Sequence, residues 1–152
     1  MSHEFFQKSI NAIVNQQVQA DLSAKNIITL GELIARLEPI ERERPEAVMQ
    51  IDEPGRVGGS NPVRMDSYRG YYEQLAVVPG SEPCTARMFL EMLRGADGAM
   101  YYGYKGGEYT MRRSTFVWLS EYGTASGVGI VGLEPRGDCI VIRTEVIDAW
   151  AR

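Results

Sequence analysis

With 152 residues, 44% of them hydrophobic and 24% charged, the chain has the size and balance of one globular domain, which excludes a wholly disordered chain. Its net charge of −4 argues against duplex nucleic acid as a partner, because phosphate neutralisation calls for a basic surplus. Two cysteines without CxxC spacing and a single histidine beside the N-terminus exclude a disulfide framework and a structural zinc site. The start MSHEFFQKS lacks the pattern of a secretory signal, and no apolar run approaches the roughly 18 residues of a membrane helix. The expectation is a cytoplasmic protein with no membrane contact, no metal and no cofactor. Arg112 and Arg113 are adjacent, so on a strand they point to opposite faces and form no basic patch.

Residues 4–22 place Phe6, Ile10, Val14, Val18 and Leu22 four apart, an amphipathic helical stripe. It reads as an N-terminal extension, 1–26, before a single α+β domain at 27–152. The stripe packs either on its own domain or on a second copy, so a homo-oligomer is expected. Thr29-Leu30-Gly31-Glu32 fits the capping box that opens a helix, with Leu30, Leu33, Ile34 and Leu37 on its buried face and Pro39 as its expected end. A short strand is expected at 47–51. Residues 52–65 read as a surface loop, whose GRVGGSNP lacks the GxxxxGK(S/T) spacing of a phosphate loop. A strand at 71–78 and a helix at 85–93 follow, the helix burying Ala86, Phe89, Leu90 and Leu93 and punctuated by Gly95 and Gly98. Further β segments are expected at 108–111 leading into 115–122, then at 128–133 and 139–144. A hairpin turn at 134–138 joins the last two, and a short helical tail closes the chain. Helices early and strands late predict an antiparallel sheet of about four to six strands with helices on one face.

Seven of the eight tyrosines fall in two stretches, 66–72 and 101–109, each mixed with glycine and a cation. Tyrosine offers a flat face with a polar tip, glycine permits close approach, and arginine stacks on rings while donating forked hydrogen bonds to anions. The candidate ligand-binding residues are therefore Tyr68, Arg69, Tyr104, Lys105, Gly106, Gly107 and Tyr109. The aromatic rings would stack on a base, Arg69 and Lys105 would meet negative charge, and the glycine amides would approach phosphates. A plain structural role on a half-wet sheet and a protein-binding surface are the competing readings of the same tyrosines.

Catalytic patterns are poor. The one histidine, His3, cannot support a Ser-His-Asp or Cys-His arrangement from a chain end. Acid–base carboxylates would have to come from Asp66, Glu73, Glu108 or Glu121, each of which also reads as a solvated charge. The hydroxyls of 123–127 have no base placed beside them by sequence. A non-enzymatic protein is expected, with no catalytic residue assigned.

The segments TLGELIARLE, DSYRGYYEQLAVVPG, GYKGGEYTM and VWLSEYGTASG, in that order, resemble a family of small uncharacterised proteins of tailed bacteriophages. The resemblance runs from about residue 29 to 133. It departs at 40–65, where the family has a shorter link, and the N-terminal helix is an addition. It implies expression in a bacterial cytoplasm and supplies no activity or catalytic residues. By analogy with phage accessory proteins, the expected function is non-catalytic capture of a small phosphorylated or nucleotide-like ligand, in an anti-defence role. The alternatives are direct inhibition of a host defence or metabolic enzyme, through an acidic surface around Glu41, Glu43, Glu46, Asp52 and Glu53, and a small hydrolase.

Overall fold

The computed structural model describes residues 25–52, 59–69, 73–103, 107–121 and 125–147. The expected N-terminal helix and C-terminal tail lie outside them. Within them the first helix, α1 (Leu30–Glu43), opens as the sequence requires: the Thr29 hydroxyl accepts from Glu32 N and the Glu32 carboxylate reaches back to Thr29 N. Further amides of its first turn are satisfied from outside, by Leu30 N donating to Thr115 O and Gly31 N to Arg113 O. Pro39 does not end it. The helix continues to Glu43 with proline inside, and Arg44 N still donates to Ile40 O. Ile40 packs on the core beyond the proline, and that tertiary contact offsets the missing hydrogen bond. The second helix, α2 (Ala86–Ala96), is capped by Thr85 and buries Ala86, Phe89, Leu90, Leu93 and Ala96. Gly95 lies within α2, and Gly98 follows it at φ +82°.

The strands are β1 (Val48–Asp52), β2 (Asn61–Ser67), β3 (Leu75–Gly80), β4 (Met100–Gly103), β5 (Gly107–Thr110), β6 (Val117–Leu119), β7 (Val128–Arg136) and β8 (Cys139–Val146). Six form one sheet in the order β1-β8-β7-β6-β3-β2, while β4 and β5 form a separate hairpin. The large sheet is mostly antiparallel, but β1 with β8 and β3 with β6 run parallel, which the sequence reading did not foresee. The sheet curls until its edges touch: Ile51 N donates to Ser60 O at 2.6 Å and Ser60 N to Ile51 O at 3.4 Å, nearly closing a barrel. Gly59 permits this closure, since at φ +66° a Cβ would lie 2.9 Å from Ile51 O.

The 52–65 segment is therefore not all loop. Asn61–Ser67 is an edge strand with Pro62 near its start, a place where a missing N–H is tolerated. Strand β7 likewise runs through Glu134 and Pro135, and the hairpin turn is confined to Gly137-Asp138. Gly137 at φ +60° supplies the first turn position of a type II′ connection.

Alternation divides the sheet's side chains between two cores. Met49, Ile51, Leu75, Val77, Val117, Leu119, Ile140 and Ile142 join the helical residues in the main core. From the intervening positions Ala76 and Trp118, with Phe116, Tyr68 and Ile27, come the members of a smaller second core. Residues 27–29 tie the two together by slotting between β6 and β7, with Ile28 N donating to Ile130 O and Val117 N to Ile28 O. Ile28 then reaches the main core and Ile27 the second one.

Candidate functional site

The two tyrosine stretches meet. At the end of β2, Ser67 Oγ donates to Tyr102 O at 3.4 Å, so the 66–69 segment lies against the β4–β5 hairpin. Asp66 turns its carboxylate back to Ser67 N at 2.8 Å. Burial, and then the negative charge of Asp66, raise the Tyr101 phenol above its ordinary pKa.

The hairpin sorts its side chains by strand alternation. Tyr101 and Tyr109 are cross-strand partners, and Tyr101 packs partly on the main core. Met100 and Tyr102, two apart, share the other face and are 52% and 69% exposed. Tyr102 was not among the residues expected at the site. Its signal was the spacing Met100-x-Tyr102 leading into glycines, legible only once 100–103 is read as a strand. Gly107 sits at φ +84°, and no atom of the other described residues lies within 4 Å of where a Cβ would stand, an open spot beside the hairpin tip. Tyr104, Lys105 and Gly106 lie outside the described residues.

Arg69, two residues after Ser67 in the chain, is exposed. Tyr68 has a different fate from the one expected of it. It is only 1% exposed, and its ring lies parallel to Trp118 with centroids 4.4 Å apart and planes 5° from each other. Its hydroxyl accepts from Gly127 N at 2.8 Å. A ring so enclosed has no face left for a ligand, so Tyr68 supports the fold where a stacking role was expected.

Other chemistry is engaged internally. Burial pushes the Cys84 thiol to about 11, which makes it a poor nucleophile near neutral pH. Ser126 Oγ donates to Leu119 O and accepts from Val128 N, so it fastens its turn. Gln74 is buried and accepts from Phe116 N at 2.7 Å. Glu46 pairs with Arg87, which neutralises one member of the acidic run, and Glu38 within α1 pairs with Arg94. The segment at 59–60 leads into strand β2, whereas a phosphate loop leads into a helix. Among the described residues no group of three or more His, Cys, Asp or Glu is arranged to hold a metal ion, and no helix is long and apolar enough to cross a membrane.

Comparison of the chain with protein-family models, with curated proteins and with solved structures gives no significant match in any of the three. The bacteriophage resemblance thus rests on its four sequence segments.

Proposed function

We propose that this chain is a bacteriophage accessory protein that captures a small phosphorylated or nucleotide-like ligand without transforming it, and so blunts host defence signalling. One observation supports the reading: Ser67 Oγ donates to Tyr102 O, which brings the 66–69 segment against the hairpin that carries the second tyrosine-rich stretch. Arg69 and Lys105 supply positive charge for a phosphate, and the open position at Gly107, with Gly106 beside it, lets a ligand approach the backbone. Tyr102 and Tyr104 would supply rings for a base, whereas Tyr109 faces the other side of the hairpin with Tyr101. Calorimetric titration of ATP and GTP into the parent protein and into Arg69→Ala/Lys105→Ala tests this. Binding by the parent that the double variant loses, with an unchanged melting temperature, is expected. Equal affinity in both, or no binding by the parent, overturns the assignment.

A second reading, direct inhibition of a host enzyme, draws on the exposed pair Met100 and Tyr102, the kind of apolar and aromatic anchor that interface hot spots use. Its contact surface would then be the hairpin instead of the acidic run, whose Glu46 is paired with Arg87. A host protein retained at one-to-one stoichiometry by the parent and released by Tyr102→Ala favours it. The apolar stripe at 4–22 is proposed to join copies of the chain, so Val14→Asp should lower the mass seen by light scattering. An unchanged mass counts against that.

A further inference from the structure

Tyr68 occupies a position that links both sides of the molecule's second core. Its backbone belongs to the 66–69 segment, where Tyr68 N donates to Gln74 O at 2.8 Å. Its side chain shares the second core with Ala76, stacks on Trp118 of β6, and ends at Gly127, just before β7. Gly127 stands at φ +71°, a conformation that suits glycine and fixes the turn at 125–127. Ser126 fastens the same turn to Leu119 O and Val128 N. On the other side, Ser67 touches the hairpin, and Arg69, two residues further along the chain, is exposed.

We propose that Tyr68 is a positioning residue that couples the candidate ligand surface to the turn at 125–127, so that displacement at Arg69 is felt at Trp118 and Gly127. The inference rests on the ligand reading above for what occupies the surface, but the coupling itself rests on geometry. The ring is enclosed and cannot change rotamer without disturbing Trp118, since a packed core admits few alternative arrangements. Arg69, the next residue, shares a peptide unit with Tyr68, so its backbone cannot shift alone. The hydroxyl adds a directional tie, because a buried N–H at Gly127 without its acceptor is costly.

The coupling is read first without ligand, by amide hydrogen exchange on the full-length parent and Tyr68→Phe, which keeps the stack and removes the hydroxyl. Exchange at Gly127 should quicken roughly tenfold, with faster exchange also at Ser67, Arg69 and Tyr102. Faster exchange at Gly127 alone, or an even increase across the chain, overturns the coupling. The second arm uses Trp150→Phe, which leaves Trp118 as the single tryptophan, with ATP and GTP as probes. A Trp118 fluorescence change on binding, and at least fivefold weaker binding in Tyr68→Phe, are expected. Binding with silent fluorescence and equal affinity in both proteins overturns the coupling while the ligand reading stands. Binding of neither nucleotide sinks the ligand reading, and the exchange result then decides the coupling.

Discussion

Tyr68 and Tyr102 come from the two stretches that look alike in sequence, and they end at opposite extremes, 1% and 69% exposed. The difference arises from what lies across from each ring. Tyr68 leaves β2 onto a sheet face that presents Ala76 and Trp118, a small residue and a broad flat one, so the ring can lie down and be covered. Tyr102 sits on a two-stranded hairpin whose outer face holds Met100, with Glu108 and Thr110 as cross-strand partners. No described side chain covers it enough to bury it. Composition therefore marks where aromatic chemistry is concentrated, while the neighbour across the strand decides whether a ring supports the fold or faces a partner.

The largest test of this contrast is Trp118→Ala, which removes the surface on which Tyr68 rests. It should cost about 3–5 kcal/mol in denaturant unfolding, and a loss below about 1 kcal/mol would mean that the second core is not structural. Next comes Gly129→Ala. Its Cβ would lie 2.8 Å from Ile147 Cγ1 and 2.9 Å from Ile27 Cδ1, two further members of that core. A cost of about 1–3 kcal/mol is expected, and a neutral result would show that the 25–27 segment yields freely.

How much of this was legible in sequence depended on whether a signal was local. The α1 cap and its buried face followed from Thr29, Glu32 and the spacing of Leu30, Leu33, Ile34 and Leu37, all within one helix. The buried face of α2 was read equally well. Pro39 misled because its penalty is local while its compensation, the packing of Ile40, is tertiary. Strand β2 was hidden by Asn61-Pro62, which reads as a turn unless an edge position is known. The parallel pairs could not be seen, since pairing direction is fixed by distant partners such as Val48 with Cys139. At the candidate site, composition drew attention to Arg69, which is exposed, and to Gly107, which stands at φ +84°. The burial of Tyr68 was not, because Trp118 and Gly127 lie 50 and 59 positions away along the chain.

A gentler probe sharpens the junction itself. Tyr101 owes its raised pKa first to burial and then to Asp66, so Asp66→Asn should let it ionise at lower pH, closer to the ordinary 10.0. Absorbance titration of the phenol reads this, and no change would separate Asp66 from the hairpin. Because the folded-state value lies above the unfolded one, the associated stability is present below about pH 10 and falls as pH rises through the folded value. Asp66→Asn should soften that alkaline loss. The smallest effect belongs to Tyr102→Ala, which should change stability by no more than about 0.5 kcal/mol while weakening ligand or partner binding. A larger loss of stability would make Tyr102 a structural residue like Tyr68 and erase the contrast.

The most direct measurement of the central claim is native mass spectrometry of the full chain, purified gently from infected bacterial cells, beside its Arg69→Ala/Lys105→Ala variant. The account predicts an added mass of nucleotide size on the parent, released by mild denaturation and missing from the variant. The same bare mass for both proteins, or an adduct that the variant keeps, would contradict it.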